Sequence, residues 1–284
     1  MAIALRQLAP DEYPSGLKEI PKPPESLWML GEWAPPETKY LTVVGSRAAT
    51  AYGKASCERL IRGLAGYPVS IVSGLALGID AIAHRSALAS NLHTIAVPGS
   101  GLSSNAIHPK TNAALAKEIL LAGGALVSEH APDHKARIED FPSRNRIMVG
   151  LSHAVLMIEA AEKSGTLITA RLAAEYNRDL LCVPHRIGDP TGFGSHRFIR
   201  LGAALVTEPL HILEALGIPV ETKEKEKAVL DGPERDVYDA LWKPMSKDDL
   251  IRTLKLEKDE VISALVTLEL KGVLTEQFSK WQRA

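Results

Sequence analysis

Short apolar runs rich in β-branched residues recur along the chain at residues 40–44, 69–72, 94–97, 126–128, 154–158, 180–183 and 204–206. None alternates polar with apolar positions, so each reads as a strand buried on both faces. Helical apolar spacing follows most of them, at 53–64, 80–90, 111–121 and 166–176. A chain that alternates such strands with helices is restricted to a parallel sheet with helices packed on both sides. The fold class expected is therefore α/β, an extended Rossmann-like parallel sheet.

The remaining segments differ in character. Residues 1–38 are proline-rich (Pro21, Pro23, Pro24, Pro35, Pro36) and read as an N-terminal extension of turns and extended pieces wrapping the surface. The Rossmann-like domain is expected over 39–217. Residues 218–232 contain the charged run VETKEKEK and read as a linker. Over 233–284, helical patterns at 234–241, 247–254 and 258–271 precede a hairpin signal at Gly272, Val273 and Leu274. Three short helices and a terminal hairpin predict a small winged-helix domain.

Bulk properties narrow the function classes. No apolar run approaches the length of a membrane span, and the N-terminus lacks the basic-then-apolar order of a signal peptide. Cytoplasmic location is the expectation. The formal charge of −1 over 284 residues gives no global sign of nucleic-acid binding, so such a function must rest on a local basic patch. Cys57 and Cys182 make no metal or redox spacing.

In open α/β sheets, ligands bind beyond the carboxyl ends of the strands. Three strand ends here carry Gly45, Ser46 and Arg47; Ser73 and Gly74, with Gly78 four residues on; and Pro98 and Gly99, in a loop that reaches Lys110. Residues 141–171 add Phe141 and a doubly basic stretch read as a loop (Ser143, Arg144, Asn145, Arg146). A buried strand follows, and then the turn Ser164, Gly165, Thr166 opening a helix. Unpaired amides at such a helix start suit an anion, and paired arginine donors suit phosphate. The GxGxxG fingerprint and the P-loop pattern are absent, and no cofactor is expected. Asp80 reads as a helix cap and His84 as a packed residue. His130 and His134 have i, i+4 spacing, but Pro132 between them argues against a helix, so no metal site is assigned.

The ordered set of motifs resembles the DNA-processing protein A family (DprA, also called Smf). It runs from Val44-Gly45-Ser46-Arg47, through Ser73-Gly74-Leu75-Ala76, Gly78-Ile79-Asp80 and Phe141-Pro142 with Arg144-Asn145-Arg146-Ile147, to Ser164-Gly165-Thr166-Leu167-Ile168-Thr169-Ala170. The resemblance implies a homodimer that binds single-stranded DNA and helps load the RecA recombinase onto it in natural transformation and recombination. Three positions depart from the family pattern: His108 replaces a tyrosine, His185 a glycine and His196 an asparagine. The competing reading is a nucleotide-binding protein or a nucleoside-monophosphate phosphoribohydrolase of the related Rossmann group. Thr169 stands where those enzymes keep a catalytic glutamate, so no catalytic residue is assigned and a binding protein is expected. Glu159, at a strand end, is the carboxylate best placed to substitute for it.

Overall fold

A computed structural model describes residues 4–220, 230–254, 256–270, 273–277 and 280–283. It divides into two units, Met1–Val220 and Glu221–Ala284. Most of the predicted linker falls at 221–229, outside the described residues.

The first unit is built on β1 (Arg6–Leu8), β2 (Leu27–Gly31), β3 (Lys39–Val44), β4 (Val69–Ser73), β5 (His93–Ala96), β6 (Ala125–Ser128), β7 (Ala154–Met157), β8 (Asp179–Cys182) and β9 (Ala204–Leu205). They form one sheet in the order β1-β2-β6-β5-β4-β3-β7-β8-β9. From β6 to β9 every pairing is parallel. The helices are α1 (Ser15–Lys18), α2 (Ala51–Arg62), α3 (Ile79–Ala89), α4 (Ala113–Leu121), α5 (Asp140–Leu151), α6 (Thr166–Glu175), α7 (Phe193–Arg200) and α8 (Pro209–Ala215).

Both faces are covered because successive strand residues point to opposite sides. Leu41, Val43, Ile71 and Leu156 pack with Cys57 and Ile61 of α2 and Ile79 and Ala83 of α3. Tyr40, Val44, Val72 and Val155 pack on the other side with Ile147 of α5 and Ala170 and Ala173 of α6. Among the described residues no helix is long and apolar enough to cross a membrane.

Two sequence expectations change. The N-terminal segment does not simply wrap the surface: β1 and β2 extend the sheet beyond β6 in antiparallel pairing. Tyr13, Leu17, Ile20, Leu27 and Met29 join the core. The doubly basic stretch is not a loop either, since residues 140–151 form α5. Pro142 sits in its first turn, where a missing N–H costs nothing. Arg144 and Asn145 are buried along with Ile147, Met148 and Val149, which erases the amphipathic signature.

The second unit contains α9 (Pro233–Ala240), α10 (Lys247–Thr253), α11 (Lys258–Leu270), β10 (Leu274–Gln277) and β11 (Lys280–Arg283). Val237, Leu250, Val261, Leu265, Leu268 and Trp281 make its core. Ser246 caps α10 by accepting the Asp249 amide at 3.2 Å. The hairpin pairs antiparallel, and Met245 bridges to Trp281. This is the winged-helix arrangement.

Candidate nucleic-acid interface

From β3 the chain moves outward through β4, β5 and β6, then returns to place β7 on the other flank of β3. The loop after β3 leads to α2 on one face, and the loop after β7 leads to α6 on the other. Such a switch point opens a crevice at the carboxyl edge. Here the Thr166 hydroxyl donates to the Gly45 carbonyl at 3.0 Å and ties the two loops together. The crevice has a volume of about 670 Å³. Gly45, Ser46 and Arg47 line it from the first loop, Lys163, Ser164, Gly165 and Thr166 from the second, and Phe141 and Asn145 from α5.

The exposed groups at this crevice are cationic and apolar. Arg47 extends into solvent with its guanidinium carbon 4.9 Å from the Phe141 ring centroid. His108 lies beside the same ring, at a centroid distance of 5.6 Å. The departure from tyrosine at position 108 thus still brings a flat ring to Phe141. Lys163 is exposed, and Ile138 and Ile168 present 86% and 37% of their surface to water, so the walls carry free apolar area. The sequence reading missed Lys163 and these two isoleucines. Adjacency to Ser164 was the available signal for Lys163.

Several predicted phosphate ligands have other roles. Arg144 lines the crevice but is buried. It donates to the carbonyls of Gly74 (2.6 Å) and Val97 and to Asn145 Oδ1 (3.0 Å). It also lies 3.7 Å from Asp80. Arg146 pairs with Glu129 and does not line the crevice. Ser73 is buried and donates to the Val43 carbonyl at 2.7 Å. Gly74 leaves room for the Arg144 guanidinium, which a Cβ would overlap. Gly78 has a φ of +73° and lies against the backbone carbonyls of Ser46 and Arg47. Both positions need glycine, because a side chain would collide with these groups. Lys110 is exposed, next in sequence to Pro109, which with His108 lines a smaller recess beside Arg47.

Asp80 does not cap α3 from the N-cap position; it lies inside the first turn. Its carboxylate turns back to accept the amides of Gly74 (3.1 Å) and Ala76 (3.3 Å). Asn112 donates to the carbonyls of Leu75 (2.9 Å) and Ala76 (3.1 Å) in the same loop. Burial, then the charge of Arg144, pushes the His84 pKa down to about 3, so its ring is neutral, paired with Thr94 at 2.8 Å.

Glu159 is fully buried and accepts the Thr50 amide (3.0 Å) and hydroxyl (2.7 Å) at the start of α2. It fastens a helix and does not line the crevice. His185 and His196 close their own loop: His185 Nε2 bonds the Ile158 carbonyl at 2.9 Å, and His196 Nε2 the His185 carbonyl at 2.9 Å.

The model of the family described as DNA recombination-mediator protein A matches residues 5–217, and that of the DprA winged helix domain matches 221–277. This chain belongs to the DNA-processing protein A (DprA/Smf) family. Protein Smf of Escherichia coli is 47% identical over 204 residues, which are 72% of this chain and 54% of that protein. The match therefore spans little more than half of that relative. The DprA protein of Streptococcus pneumoniae is 40% identical over 203 residues, covering 72% of this chain and 71% of its own length. Its solved structure superposes with a TM-score of 0.68 at 37% identity, over 75% of this chain and 74% of that one. The Helicobacter pylori DprA structure, described for its unique single-stranded DNA binding mode, gives a TM-score of 0.66 at 28% identity. It covers 76% of this chain and 96% of that one.

Proposed function

We propose that this chain is a DNA-processing protein that binds single-stranded DNA in the crevice between the β3 and β7 loops. The observation that carries the reading is Arg47 held over Phe141 at the mouth of that crevice. An exposed guanidinium beside an aromatic ring offers a phosphate contact next to a stacking surface, and stacking needs an unpaired base. The Ser164, Gly165 and Thr166 turn adds the N-terminal end of α6, which favours anions. Family membership supports assembly as a homodimer and delivery of the bound strand to RecA. A RecA ATPase assay on single strands checks the latter, with a shortened lag as the expected result.

Among the described residues lining the crevice, the cations not bonded to other protein polar groups are Arg47 and Lys163, with Lys110 near the rim. Each phosphate neutralised on a single strand contributes about 0.7 to the slope of log K against log salt, so two to three cations give about 1.4–2.1. We expect a fluorescence-anisotropy titration of an oligonucleotide to return that modest slope, with weaker binding of the corresponding duplex. Equal affinity for both, or a slope several times larger, would move the interface away from the crevice.

The related phosphoribohydrolase reading needs a carboxylate near the scissile glycosidic bond. Asp80, the carboxylate lining the crevice, is bound by two amides and lies beside Arg144. Thr169 is buried. Incubation with AMP is expected to release no adenine above the protein-free control by chromatography. Release that disappears in Asp80→Asn would reinstate the enzymatic reading.

A further inference from the structure

We propose that His130, His134 and Asp140 form a site for a divalent transition-metal cation of the zinc class, which fastens the segment before α5 to the first turn of that helix. The two imidazoles stack with centroids 4.2 Å apart and planes at 17°. Both turn Nε2 toward one buried carboxylate. His134 Nε2 lies 2.7 Å from Asp140 Oδ2, and His130 Nε2 lies 3.8 Å from Oδ1. The three ligand atoms lie within 4.8 Å of one another.

The sequence spacing alone argued against such a site, because Pro132 prevents the helix that an i, i+4 histidine pair needs. A turn does the work of a helix: the His134 amide donates to the Ala131 carbonyl at 2.9 Å and folds the chain back around Pro132. The turn is anchored from below by the Gly101 and Ser103 amides, which donate to the His134 and Pro132 carbonyls, each at 2.9 Å. The third ligand comes from α5 and is held in place by the Arg137 amide, 2.7 Å from Asp140 Oδ2. Such outer hydrogen bonds orient metal-binding carboxylates.

A shared proton explains the His134–Asp140 contact but leaves His130 unexplained. His130 Nε2 is out of contact with solvent and has no hydrogen-bond partner, an expensive state for a ring nitrogen. Imidazole and carboxylate ligands together suit zinc, cobalt or nickel rather than calcium or magnesium. Ligand atoms about 2.0–2.2 Å from a tetrahedral ion lie ~3.4 Å apart, so the three need to shift by roughly 1 Å to close on it. Two histidines and one carboxylate leave a coordination position for water.

The test uses the full chain without a tag, stripped with a chelator and titrated with zinc against a chromophoric competitor. One zinc per chain is expected, with a rise in the unfolding midpoint. His134→Gln and Asp140→Asn should each weaken zinc by more than the about 10–100-fold that loss of an outer-shell partner costs. Cobalt should give a visible spectrum that both substitutions abolish. Because Asp140 also supports α5, His130→Gln serves as the third variant, since its Nε2 anchors nothing else. If the stripped chain takes up no zinc at micromolar concentration, or a folded His130→Gln or His134→Gln binds as tightly as the parent, the site does not exist.

Discussion

An Arg144→Ala variant is expected to lose about 3–5 kcal/mol of stability, the cost of breaking a buried ion pair from one side. The substitution strands the carbonyls of Gly74 and Val97 and leaves the Asp80 carboxylate without its nearby cation. The loss should depend on pH. Burial raises the Asp80 pKa above the ordinary carboxylate range, and Arg144 opposes that rise. With the folded pKa above the unfolded one, the native state holds the proton longer, and stability declines as pH climbs between the two values. Without Arg144 the decline extends to higher pH. The deficit measured by urea unfolding should therefore be smaller at about pH 5 than at about pH 7. A variant as stable as the parent but unable to bind oligonucleotide would return Arg144 to the role of phosphate ligand.

Arg47→Ala is expected to behave in the opposite way. Its side chain is exposed, so thermal unfolding should move little. Affinity for a single-stranded oligonucleotide should fall by about 1.5–3 kcal/mol, the range for a hydrogen bond to a charged group. Arg47→Lys should recover part of the loss, because a lysine keeps the charge but not the planar fork that lies over Phe141. A double-mutant cycle with Phe141→Leu should show coupling, since the two side chains form one surface. If Arg47→Ala binds as tightly as the parent, the DNA path does not pass the β3 loop.

The contrast between these two arginines marks how far the chain's chemistry was legible in sequence. Both follow motif positions that suit phosphate, and neither motif states which way its side chain turns. Arg47 follows a strand end on the crevice rim and meets water. Arg144 sits one helical turn into α5, and that helix lies with Arg144 and Asn145 inward. The same burial concealed α5, because a helix whose buried face carries polar residues has no amphipathic period to read. The missed β1 and β2 have another cause: proline-rich flanks made short strands resemble surface turns, and pairing with β6 is a long-range event.

Alone, the sequence determined the alternation of buried strands and helices, the parallel sheet, the winged-helix pattern and the family. Each depends on local apolar spacing or on ordered motifs, which survive without coordinates. Tertiary structure decided which motif residues face the crevice and which hold it up. Gly74, Ser73, Asp80 and Arg144 form its buried support, while Arg47, Phe141 and Lys163 remain available at its surface. That division follows from the return of β7 beside β3, which brings together loops more than 100 residues apart, as the Thr166–Gly45 bond at a separation of 121 residues records. Burial is a property of that juxtaposition, and burial is what turns a charged side chain from a ligand into a strut.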